Sequence, residues 1–127
     1  MKPKLKYVLV VGCPDQEKIL RAHDEDLFIV ESVPDAAAAL RRIPKNHYDI
    51  LITQSKFENS SINGIELARL SWAMCKKTLI IEPTLMTYFD LIFFNNHLLS
   101  DVSIIPGSPK DVLHAVKKIK IDDGAER

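Results

Sequence analysis

Tyr48-Asp49-Ile50-Leu51-Ile52-Thr53-Gln54, followed by Ile62-Asn63-Gly64-Ile65-Glu66-Leu67, is the stretch whose reading decides the fold. Its centre, Ile50–Thr53, is a short continuous apolar run rich in β-branched residues. Such a run fits a strand buried on both faces, as parallel strands are. Asn63-Gly64 then opens a helix expected to run through Met74.

Working outward, four more runs of this kind recur at similar intervals: Leu5–Val11, Leu27–Val30, Thr78–Ile81 and Val102–Ile105. Each interval is long enough for one helix, which is the pattern of βαβ crossovers. Ser32 is placed to cap a helix with Pro34 near its first position, so that Ala36, Ala39, Leu40 and Ile43 share a face and Pro44 and Asn46 stop it. Asp15-Gln16 opens the first helix, with Asp15 read as its cap. Ser108, Pro109 and Asp111 start the last, whose apolar stripe is Val112, Ala115, Val116 and Ile119. Lys117 and Lys118 lie at its C-terminus, where the helix dipole favours cations. The expected architecture is a flavodoxin-like, doubly wound α/β domain, a three-layer (βα)5 sandwich. Right-handed crossovers favour a parallel five-stranded sheet in the order 2-1-3-4-5. One domain is expected over residues 1–121, with a frayed tail at 122–127 that lacks an apolar anchor.

The bulk composition agrees with one soluble domain: 127 residues, 46% hydrophobic and 27% charged. Lys plus Arg and Asp plus Glu number 17 each, so no net field draws the chain to nucleic acid or an anionic membrane. Basic clusters at the ends (Lys2, Lys4, Lys6; Lys117, Lys118, Lys120) read as solvated faces. Cys13 and Cys75 have neither zinc-site nor disulfide spacing. The opening does not read as a signal peptide, because only Tyr7–Val11 is apolar after Lys6. No run of about 18 apolar residues is present. A reducing cytoplasm is the expected setting.

The third strand and its sequel resemble the receiver-domain pattern YDLVLLD…MDGLEL of two-component response regulators. Asp101-Val102-Ser103-Ile104-Ile105-Pro106-Gly107-Ser108-Pro109-Lys110-Asp111-Val112-Leu113 is similar to the family's closing pattern DYLTKPFSPEEL, and Val8-Leu9-Val10-Val11 to its first strand. The likeness runs from about Lys4 to Ile119. It implies a crevice at the C-terminal strand ends. There, two acids after the first strand and an acceptor Asp after the third would hold Mg²⁺ through oxygen ligands. A Lys after the fifth strand would neutralise the transferred group, and a Thr or Ser after the fourth would sense it.

Carried over residue by residue, these roles fail together. Gly12 and Cys13 stand at the acidic pair, Gln54 at the acceptor and Ile105 at the Lys, although Pro106 persists. Glu82 stands at the Thr or Ser position with Thr84 two residues on, and Val102 stands at the aromatic switch. An amide cannot act as the nucleophile a carboxylate provides. A two-residue insertion precedes Asn63-Gly64, and the Pro usual in that loop is missing. Asp49 begins its strand, roughly 16 Å from the chemical end at about 3.3 Å per residue. Cys13 reads as a buried free thiol, with no cation evident to activate it. His23, His47, His97 and His114 are dispersed at no ligand or catalytic spacing. The sequence therefore implies no metal, no cofactor and no enzymatic activity.

Leu85–Phe94 is the most apolar segment. Leu85, Met86, Tyr88, Phe89, Leu91, Ile92, Phe93 and Phe94 leave only Thr87 and Asp90 polar, whereas a helix covering a sheet needs one buried stripe. Leu85, Met86, Tyr88, Phe89, Ile92 and Phe93 are candidate interface residues, because a surplus of this kind marks contacts. In receivers the fourth helix, fifth strand and fifth helix commonly form the partner face. The expected partner is a protein or a second copy, with no nucleic acid or membrane contact by this domain. The leading functional expectation is a receiver-like regulatory domain acting by protein contacts without Asp phosphorylation. The alternatives are a phospho-accepting receiver using displaced acids such as Asp15 and Glu82, and a small-molecule module at the crevice of Gly12, Cys13, Gln54 and Thr84.

Overall fold

The computed structural model describes residues 5–22, 28–55, 57, 62–71, 75–81, 102–105 and 108–119. Strands β1 (Lys6–Val11), β2 (Phe28–Val33), β3 (Tyr48–Gln54), β4 (Cys75–Ile81) and β5 (Val102–Ile105) form one sheet in the order β2-β1-β3-β4-β5. All four pairings are parallel. The helices among the described residues are α1 (Pro14–Ala22), α2 (Ala36–Arg42, continued by a 3-10 turn at Ile43–Lys45), α3 (Gly64–Ser71) and α4 (Pro109–Lys118). The expected α/β class and strand order are those observed.

Successive strand residues point to opposite faces, so a strand covered on both sides must be apolar at consecutive positions. Val8, Leu9, Val10 and Val11 are all fully buried, as are Ile50, Leu51 and Ile52. Val8, Val10, Ile50, Ile52, Leu79 and Ile81 pack with Leu20 of α1 and with Val112, Leu113 and Val116 of α4. On the other face Leu9, Val11, Val33 and Leu51 meet Ala36, Ala39, Ile43 and Leu67. This is the three-layer sandwich.

Local chemistry moves several boundaries from the expected ones. Ser32 does not cap α2; it lies in β2 opposite Val10. The cap is Asp35, whose Oδ1 accepts the Ala38 N–H at 2.9 Å. Extending β2 to Val33 buries that side chain at the sheet end, and Pro34, which has no N–H to satisfy, makes the turn. The α2 stripe is otherwise as read, with Ala36, Ala39 and Ile43 buried, and Asn46 closes the helix by donating to the Arg42 carbonyl. Asp15 is not the α1 cap. Cys13 holds that position through its carbonyl, which accepts the Glu17 N–H at 2.9 Å, and Asp15 lies in the first turn. β4 starts at Cys75, three residues before the apolar run suggested, because Lys76 and Lys77 extend the pairing toward Tyr48.

Lys6 is no part of a solvated basic face. Its ammonium donates to the carbonyls of Val116 (2.8 Å) and Lys117 (3.2 Å) and closes the C-terminus of α4. Half-burial holds its pKa below the usual lysine value. Ser108 caps the other end of α4, its Oγ accepting the Asp111 N–H at 3.2 Å.

Candidate functional site

Val11 and Thr53 are paired neighbours, so the residues that follow them, Gly12 and Gln54, meet at the C-terminal ends of β1 and β3. In a parallel sheet of this order the chain connections diverge here, and a crevice would open. In this molecule Gln54 bridges the gap by donating its side-chain Nε2–H to the Gly12 carbonyl.

Gly12 is shaped for that contact. Its φ is +65°, in the left-handed region that L side chains rarely adopt. A Cβ there would lie 3.1 Å from the Phe57 ring, 3.1 Å from the Pro34 carbonyl oxygen and 3.4 Å from Gln54 Nε2. Its N–H donates to the Val33 carbonyl at 2.9 Å, tying β1 to the end of β2. An amide and an aromatic ring thus take up the room that a side chain at position 12 would need.

Cys13 is buried beside them. Its Sγ–H donates to the Val11 carbonyl at 3.3 Å. Burial pushes the thiol up to about 12, against a smaller opposing pull from a hydrogen bond with the Gln54 backbone. A thiol that stays protonated is neither a nucleophile nor a ready metal ligand. Ile105, at the expected lysine position, packs against the core beneath α1 and α4 and pairs with Ile81. Glu82, Thr84, Pro106 and the interface candidates Leu85, Met86, Tyr88, Phe89, Ile92 and Phe93 lie outside the described residues, as does the tail 122–127.

These residues do not fit the magnesium ion that the resemblance implies. Mg²⁺ requires near-octahedral oxygen coordination, commonly anchored by carboxylates. Here the Gly12 carbonyl already accepts from Gln54, Cys13 is a buried thiol, and no carboxylate stands at the family's three acidic positions. Among the described residues no group of three or more His, Cys, Asp or Glu is placed to hold a metal.

Asp49 belongs to the opposite end of the sheet, as its place in the strand required. It is buried, its Oδ2 accepts the Tyr7 N–H at 2.9 Å, and its Oδ1 is 3.6 Å from His47 Nε2. Nearby Cys75 is pushed up to about 11 by burial and, secondarily, by the Asp49 charge. Both thiols are free.

Three features escaped the sequence reading. Phe57, the ring over Gly12, is the one large aromatic in an otherwise polar loop, and that contrast was its only signal. Tyr48 donates its hydroxyl to Glu31, which also takes Arg42 at 2.9 Å; burial, and then Glu31, push Tyr48 up to about 12. The third is a mostly apolar groove of about 500 Å³ on the β2 side of Gly12, lined by Gly12, Cys13, Pro14, Glu17, Ser32, Val33 and Pro34.

No family model matches the sequence, and no curated protein matches it. Solved structures do resemble the molecule. A CheY-like response regulator receiver domain protein from Methanospirillum hungatei superposes with a TM-score of 0.65 at 21% identity, covering 91% of this chain and 93% of that one. A Francisella response regulator receiver domain gives 0.67 at 19% identity over 88% and 93%. A chemotaxis response regulator of Vibrio cholerae gives 0.69 at 13% identity over 91% and 98%. At these identities the likeness is one of architecture along nearly the whole length of both partners. The chain has the fold of response regulator receiver domains.

Proposed function

We propose that this is a receiver-like regulatory domain of signal transduction that works through protein contacts and accepts no phosphoryl group. The observation that carries the reading is the hydrogen bond from Gln54 to the Gly12 carbonyl. In a phospho-accepting site the residue at position 54 must be an anion that attacks phosphorus, and its surroundings must draw in a cation. Here the same position is a neutral donor satisfied by a backbone carbonyl, with a protonated thiol beside it and an isoleucine where the charge-neutralising lysine would stand. Oxyanion stabilisation supplies most of the rate in phosphoryl transfer, and the charges for it are missing at these positions.

The domain is accordingly read as non-enzymatic, needing no cofactor, and working in the cytoplasm. Among the described residues no helix is long and apolar enough to cross a membrane. The apolar surplus of Leu85–Phe94 supports a protein partner or a second copy on the face that receivers use for such contacts.

The experiment is an NMR titration of the ¹⁵N-labelled domain with Mg²⁺ and then beryllofluoride, a mimic of the acyl phosphate. The amides of Gly12, Cys13 and Gln54 should stay in place at millimolar metal. Clustered, saturable shifts at those amides would overturn the proposal.

A further inference from the structure

We infer that the Gln54–Gly12 contact is a conformational latch, which fixes the upper ends of β1 and β3 and the start of α3 in one arrangement without a bound ion. The inference rests on the reading above, that position 54 carries no phosphoryl group, and adds what that position does instead.

Gln54 and its neighbour Ser55 form a junction. The Gln54 side chain donates to Gly12 on β1, and Gly12 in turn donates to Val33 on β2. The Gln54 carbonyl accepts the Thr53 hydroxyl at 3.0 Å and lies so close to α3 that a Cβ on Gly64 would come within 1.8 Å of it. Ser55 is buried; its N–H donates to Ile81 at the end of β4 (3.2 Å), and its carbonyl accepts the Gly64 N–H at 2.9 Å. The ends of β1, β3 and β4 and the start of α3 are thus bonded through two consecutive residues, and Gly12 carries the connection on to β2. The side-chain link is the one that reaches Gly12 from this junction, and the Phe57 ring lies against Gly12 as well.

The link depends on a donor. An ionised glutamate has nearly the shape of glutamine but only acceptors, so it would set charge against the lone pairs of the Gly12 carbonyl. A protonated glutamate regains an O–H to donate. The latch therefore predicts that Gln54→Glu makes the domain pH-sensitive at this one place, whereas Gln54→Ala opens it at every pH.

Two measurements test it. In the wild type, the Gln54 side-chain amide protons should exchange with water at least about tenfold more slowly than those of a free glutamine side chain. In hydrogen exchange of the variants, the Ser55 and Gly64 amides of Gln54→Glu should lose about tenfold protection near pH 7.5 and regain it near pH 4, where a glutamate of ordinary pKa (about 4.3) protonates. Gln54→Ala should lose it at both. Wild-type side-chain protons that exchange freely would overturn the latch even if a variant failed to fold, and so would equal protection in all three proteins. A phosphate adduct on the wild type would instead overturn the functional reading and leave the exchange result standing.

Discussion

Gly12 and Gly64 make the same kind of concession to packing for different reasons, and the difference is measurable. Gly12 must adopt φ +65°, so Gly12→Ala incurs a left-handed cost of about 1–2 kcal/mol plus the two 3.1 Å contacts. At Gly64 the obstacle is the Gln54 backbone oxygen at 1.8 Å, which cannot yield as a side chain can. Urea denaturation should show Gly64→Ala losing more stability than Gly12→Ala; the reverse order would contradict the packing described. Cys13 gives a second test. Its pKa rises from 9.0 unfolded to about 12 folded, so its contribution to stability is fully present below about pH 9. Between about pH 9 and 12 the unfolded chain releases the proton while the folded chain keeps it, and stability falls. Denaturation at successive pH values above 9 should show this loss, and Cys13→Ala should flatten it. An unchanged slope in the variant would mean the thiol is more exposed than described. That Gly12, Cys13, Gln54 and Ile105 stand at the C-terminal strand ends was legible because the apolar runs mark where each strand stops. That Gln54 reaches Gly12 was not legible, since it depends on a side-chain amide meeting a carbonyl 42 residues away, and neither was the approach of the Phe57 ring to Gly12.

Between neighbouring elements, the β2–α2 junction shows how a sound local rule was overridden. Ser-Val-Pro reads as a cap followed by a helix start, yet parallel pairing with β1 carried the strand through Ser32 to Val33, and the cap passed to Asp35. Asp35→Ala should therefore cost about 1 kcal/mol, and Ser32→Ala less than about 0.5. Equal costs, or the opposite ranking, would restore the sequence expectation. The β4 start was missed for a related reason. Lys76 and Lys77 break the apolar run, but the strand there still pairs with the lower part of β3, where the Lys77 side chain is only half-buried. By contrast the start of α4 was readable outright, because Ser108, Pro109 and Asp111 satisfy the helix N-terminus locally and need nothing from the rest of the chain. Asn63 and Glu66 do the same for α3, each side chain accepting the other's backbone N–H.

For the molecule as a whole, the fold was legible because consecutive buried strand residues allow few architectures, and right-handed crossovers allow few orders among them. The partner face was proposed from composition, and sedimentation tests it. Single Glu substitutions along Leu85–Phe94 should include one that dissociates a complex while leaving the domain folded. A monomeric wild type unfolded by every such substitution would make the segment core. The central claim, that this receiver fold has exchanged phosphoryl acceptance for a closed junction at Gly12 and Gln54, is tested most directly by intact-mass measurement after incubation with acetyl phosphate and Mg²⁺. The account predicts an unmodified mass at every time point. A stoichiometric phosphate adduct, abolished by replacing a single acidic residue, would contradict it.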